Sequence, residues 1–418
     1  MPVLTYNDLK YKREENYIKN IEELFEVLKK ENPEFSNLIT ESLTGFYSLL
    51  SAAIQIDDHP NVKLIKEAIC KKYDTDVEMH VFLYESALPK ALCTNRHYFT
   101  DGEEHSELII LVSQHFFNYL DFQQQISILS HELSHKLLGH TEIPARKILN
   151  SEFNFAKFRG LKMDLLKWSI CAEISSDIFA LHTTDYNPKI FSTSIIKFAS
   201  GVNAIDSYDL ISILENQYDQ LAKNAVAAEI SPHPILPLRI KIIKEVCSDQ
   251  IISKMGKEVT IEEKNELVKN YNKKIDNLLL AVYPELFDNP KDNHPDLYLM
   301  MGAAVILADK VITDEEEAYF LNLNYEGVDT NSFIEKIRFR IENEGYDLLI
   351  ESLISESIKY CKEHNLEMVD IIPLVRFLLL TSTLDNVNIE ELRIINRFAE
   401  QFDISKEEIV LLLNQVLS

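Results

Sequence analysis

Residues 131–140 read HELSHKLLGH, and this stretch constrains the fold more than any other. On an α-helix, positions i and i+4 share a face, so His131 and His135 can aim two imidazoles at one ion. Glu132 lies one step round the helix, beside such an ion and not on it, where a general base for an activated water belongs. For the pair to hold a catalytic ion, the chain must supply a helix here, a third ligand from another element, and a cleft open to both.

The pattern elsewhere favours helix. Only 9 glycines and 13 prolines among 418 residues argue against a loop-rich or β-rich fold. Residues 14–56 and 60–73 carry helical periodicity, while 77–83 (VEMHVFL) alternate as a half-buried strand does. Residues 91–99 and 106–112 read as second and third strands. Helical pattern resumes at 114–139 and dominates afterwards. The expected class is α+β, predominantly α-helical. The stretch FDNPKDNHPDL (287–297) reads as a linker. It divides a helical region 1–69 and a domain 70–286 from an all-helical domain 298–418. In that last segment Thr313 with Glu316, Asn388 with Glu391 and Ser405 with Glu408 sit at N-cap and N3 spacing.

A catalytic zinc needs a third protein ligand and an open fourth position. Glu173 in CAEISSDIFAL (171–181) is the candidate, with Asp177 one turn on along the same face. Two carboxylates on a largely apolar helix are costly to bury unless paired or bound to metal. The alternative is a solvated stripe of an amphipathic helix. Asp177 suits the outer N–H of a ligand histidine, which would fix that ring's tautomer. One zinc on His131, His135 and Glu173 would acidify a water, Glu132 would take its proton, and His233 or Arg239 would steady the oxyanion. An edge strand carrying Ala91, Leu92, Cys93, Thr94 and Asn95 would hold the substrate backbone.

HELSHKLLGH resembles the HExxHxxxGH helix of HtpX-type and CAAX-prenyl-protease-type zinc metallopeptidases. EISSD matches their ExxxD helix, and SPHPILPLRIKII (231–243) is similar to their HPxxxxRI element. The resemblance covers about residues 70–245. It implies a zincin-type (gluzincin) domain with a small β-sheet and an active-site helix, hydrolysing peptide bonds in a protein or peptide substrate. It also implies that His233 and Arg239 face the zinc. An imidazole there would alternatively fill the fourth position and keep the enzyme latent. Thermolysin-type hydrolases share HExxH and ExxxD, but the Gly139–His140 ending and the HPILPLRI block argue against them. Retention of Glu132 argues against a catalytically silent zinc-binding stress sensor or scaffold, since a structural site has no use for a base.

Residues 298–418 are similar to TerB-like (tellurite-resistance) helical domains. The paired acidic elements appear as ADKVITDEEE (308–317) and LDNVNIEEL (384–392), with Lys310 and Asn386 where glycine is usual. The resemblance implies a stress or defence setting and metal at the acidic turns. The simpler reading is that Asp309 and Asp385 shape helix–helix turns. A regulatory protein is the expected partner of this segment.

The net charge of −25 makes nucleic acid and anionic membranes poor partners. No uncharged apolar run reaches the roughly 18 residues of a membrane span, so no membrane insertion is expected. The amino terminus has no signal-like apolar core, and five scattered cysteines suit reduced thiols. A cytoplasmic protein is expected. His140 reads as a helix-end residue suited to the dipole. His80, His97, His115 and His182 read as satisfied lone histidines, and Trp168 and Cys171 as core.

Overall fold

The computed structural model describes residues 2–100, 103–149, 159–200, 208–224, 231–287, 294–310, 330–366, 368–382 and 388–417. The chain forms two compact units. One comprises Met1–Phe153, Trp168–Tyr218 and Pro232–Leu278; the other Asn154–Lys167, Asp219–Ser231 and Leu279–Ser418. The fold is α+β and mostly helical, with one small mixed sheet.

In the first unit two helices, Glu15–Glu31 and Pro33–Ser51, are divided at Asn32. Pro33 cannot donate to a preceding turn, and the Asn32 side chain caps the new helix by accepting from Phe35 N at 3.1 Å. Sequence periodicity runs through this break and on to residue 56. The structure instead places a two-residue strand there, β1 (Ile54–Gln55). The expected strands follow as β2 (Met79–Tyr84), β3 (Ala91–Thr100) and β4 (Glu103–Ser113), in the order β1-β2-β4-β3. β2 runs parallel to β4, and β3 pairs antiparallel with it.

β4 is central, which explains its unbroken apolar run Leu108–Val112. A strand covered on both faces needs no polar alternation. Leu108, Ile110 and Val112 pack with Ile65 and Ile69 of helix Pro60–Tyr73 and with Leu129 and Leu133. Ile109 and Leu111 pack on the other face with Phe46 and Tyr84. β3 is the edge strand beyond β4, with no outer strand partner among the described residues.

In the second unit, helices Pro295–Ile306, Thr330–Glu344, Tyr346–Glu363, Met368–Ser382, Ile389–Ala399 and Lys406–Leu417 are described. They share a core that includes Leu299, Met301, Leu353, Leu378, Ile395 and Phe398. Ser405 and Glu408 form the expected reciprocal cap, with Glu408 N to Ser405 Oγ at 3.2 Å and Ser405 N to Glu408 Oε2 at 2.7 Å. Asn388 caps its helix through Glu390 N at 2.9 Å instead, and Glu391 is buried. Lys310 adopts φ 65°, the left-handed conformation that favours glycine. Residues 288–293 of the linker, Thr313 and Glu316, the acidic run beyond Lys310, and Asp385 with Asn386 lie outside the described residues. Among the described residues no helix is long and apolar enough to cross a membrane.

Candidate metal centre

The helical run from residue 114 is broken before the motif. Asp121 opens a fresh helix, Phe122–Leu137, by a reciprocal cap: Gln124 N donates to Asp121 Oδ1 at 2.9 Å and Asp121 N to Gln124 Oε1 at 3.2 Å. Leu129 and Leu133 anchor this helix against the sheet, which turns His131 and His135 the other way. The helix stops at Leu138, and Gly139 follows with φ 81°. Glycine tolerates this reversal without a Cβ clash.

Glu173 and Asp177 lie on the helix Arg159–Thr183 and are only 8% and 1% exposed. They are therefore not on a solvated stripe. Each meets the motif helix. Glu173 Oε2 lies 3.5 Å from His131 Nε2, and Glu173 Oε1 3.7 Å from His135 Nε2. The two Nε2 atoms are 3.3 Å apart. A tetrahedral ion with bonds of about 2.0–2.1 Å holds neighbouring ligand atoms about 3.3 Å apart. The donor set and its spacing fit zinc.

The outer nitrogens explain why both Nε2 lone pairs converge. His131 Nδ1 sits 3.0 Å from Asp177 Oδ1, and an ionised carboxylate only accepts. Nδ1 thus carries the proton and Nε2 is left to a ligand. His135 Nδ1 lies 2.9 Å from Nδ1 of His140, whose Nε2 lies 3.0 Å from Glu14 Oε1. With Glu14 accepting, His140 donates through Nε2 and accepts from His135 through Nδ1. That again frees His135 Nε2. Glu14 also accepts from Ser175 Oγ at 2.9 Å and pairs with Lys10 at 3.1 Å. Burial disfavours its charge, but His140 and Lys10 outweigh this and hold its carboxyl below the usual range.

The electrostatics ask for positive charge at the same point. Burial disfavours an ionised Glu173, yet His233 and His131 outweigh it and hold the carboxyl well below its usual range. Burial likewise opposes a charged His131, but Asp177 and Glu173 push it up to about 10. For His135 burial prevails and keeps the ring neutral. A cation between these groups would replace a proton that the carboxylates otherwise demand.

These residues line a cavity of about 480 Å³ together with Ala91, Leu92, Cys93, Thr94 and Asn95 of β3. Buried Glu132 faces it, and burial together with the nearby Glu132 carboxylate pushes the Cys93 thiol well up. Asn95 donates to Glu142 Oε1 at 2.6 Å, tying β3 to the turn after the motif. His233, in the turn before helix Leu236–Cys247, is half-exposed with Nδ1 3.1 Å from Glu173 Oε1. Arg239 on that helix is buried and clamps Asp177 through Nε at 2.7 Å and Nη2 at 2.6 Å, with Nη2 also 3.6 Å from Glu173 Oε2. The Arg239 guanidinium thus braces the carboxylates, and His233 is the better placed of the two to meet a substrate.

His140 differs most from its sequence reading. It is buried against Trp168 and holds the His135 ring, whereas a helix-end histidine serving the dipole would be solvated. Glu14 lies 126 residues away, and no local spacing signals it. His115 pairs with Tyr119, and His182 with Tyr186, away from the cavity. Trp168 and Cys171 are buried. Comparison with family models, with curated proteins and with solved structures returns no match.

Proposed function

We propose that this chain is a zinc-dependent metalloendopeptidase of the zincin (gluzincin) class, of the HtpX-like kind that its three sequence blocks resemble. The observation that carries the reading is the convergence of His131, His135 and Glu173 beside buried Glu132, in one cavity beneath an edge strand. A zinc ion on those three residues would acidify a water and polarise the scissile carbonyl.

The protein's own groups do the rest. Glu132 takes the proton of the attacking water and passes it to the leaving amine. Its burial beside the Cys93 thiol keeps it out of bulk solvent. The outer edge of β3 adds the substrate as a further strand, so backbone hydrogen bonds hold it over the cavity. His233 donates to the developing oxyanion. Asp177, Arg239, His140 and Glu14 position the ligands and do not touch substrate. The helical second unit supplies regulation or recruitment by another protein, in a cytoplasmic stress or defence setting.

A latent form is the second reading, favoured by the contact of His233 with the ligand carboxylate. His233→Ala then raises cleavage of an unstructured protein, whereas an oxyanion role makes it fall. The reading as a whole is tested by zinc content and casein cleavage of wild type and Glu132→Gln. Zinc in both with cleavage only by wild type is expected. Zinc in both without cleavage by either, or by His233→Ala, points to a silent scaffold. Absence of zinc from wild type removes the metal site.

A further inference from the structure

A second group of ligand-type side chains lies on the opposite face of the sheet from the cavity, because alternate residues of a strand point to opposite faces. The parallel register of β2 with β4 sets Met79 beside Leu108, and Leu108 N donates to Glu78 O at 2.8 Å. Glu78, His80 and Glu107 are thereby brought together, with one ligand atom of each within 4.8 Å of the others.

The orientation of His80 is fixed from behind. Its Nδ1 lies 2.6 Å from Asp57 Oδ2. Asp57 is itself held by Val81 N at 2.9 Å, Gln55 Nε2 at 2.8 Å and Lys66 Nζ at 3.4 Å. Asp57 can only accept, so Nδ1 carries the proton and Nε2 is aimed at Glu78 Oε1, 3.2 Å away, and Glu107 Oε2, 3.4 Å away. A carboxylate behind a histidine is how metal-ligating imidazoles are commonly set. Glu107 is 3% exposed, and its other oxygen faces Arg96.

Both distances from His80 Nε2 match the roughly 3.3 Å edge of a tetrahedral zinc site, close to the spacing found among His131, His135 and Glu173.

We propose that Glu78, His80 and Glu107 bind a second divalent cation of the zinc class, a lock joining β2 to β4. It is independent of the peptidase reading.

The test is zinc per chain by plasma mass spectrometry on the full-length protein, for wild type, His80→Ala, Glu78→Ala and the double variant His131→Ala/His135→Ala. Two ions are expected in wild type and one in each variant, with cleavage persisting in His80→Ala. Circular dichroism checks folding. Should His80→Ala not fold, Glu78→Ala decides, because that side chain is largely exposed. A folded Glu78→Ala or His80→Ala with as much zinc as wild type overturns the proposal, as does a folded double variant with none.

Discussion

The two units differ in what they bury. In the first, Glu14, Glu132, His140, Glu173, Asp177 and Arg239 are all buried; all but Glu14 line one cavity, and Glu14 meets it through His140. In the second, the buried charged residues among those described are Arg376 and Glu391, set in a core of leucine, isoleucine, alanine and phenylalanine. Removing ions from water costs several kcal/mol each, and a fold accepts that only where the charges are paired or hold something. The contrast separates a unit organised around a chemical site from one organised around packing. It also predicts that single substitutions act differently in the two.

The largest effect belongs to Glu132. Its replacement by glutamine lowers cleavage by about 10²–10⁴-fold, the span of general acid–base catalysis, and leaves zinc content unchanged. Parallel loss of zinc would make Glu132 part of the metal cradle instead. Asp177→Asn acts next, on stability as well as on chemistry. It leaves the buried Arg239 guanidinium without its bidentate partner, at a cost of about 3–5 kcal/mol. Urea denaturation reads this cost, and a shift under 1 kcal/mol would mean Arg239 finds water or Glu173 at once.

His140→Phe and Glu14→Gln come third. Each removes a link behind His135, so zinc affinity in a chelator competition falls by about 10–100-fold. At saturating zinc most cleavage returns, because neither residue touches substrate. Unchanged affinity in both variants would show that the link is packing alone. The smallest effects are in the second unit. Ser405→Ala costs about 1 kcal/mol through the lost cap, and Lys310→Gly gains about 0.5–1 kcal/mol by relieving a left-handed lysine. Neither changes zinc content, and a change in either variant would break the contrast between the units.

Some of this architecture is legible from residue spacing. His131 and His135 share a helix face by geometry alone, and Glu173 with Asp177 repeat the same four-residue step. Strand positions follow from alternation at 77–83 and from the apolar run of β4. The helix breaks at Asn32 and Asp121 leave no mark in the hydrophobic pattern, because periodicity continues across a cap while the backbone does not. Arg239 reads in the sequence as a residue that faces the zinc and steadies the oxyanion, whereas the structure sets it behind the site. Its bidentate grip on Asp177 depends on how two helices cross.

By itself the sequence determined the helix face with its two imidazoles and base, the second helix with its two carboxylates, and the strand–helix balance. All of these depend on contacts within a few residues, where chain geometry is invariant. The tertiary structure alone decided that Glu14 and His140 stand behind His135, that Arg239 braces Asp177, and that Glu78, His80 and Glu107 meet across a parallel register. The physical reason is burial. In a low-dielectric interior a charge needs its partner within a few ångströms, and packing, not sequence distance, brings that partner near.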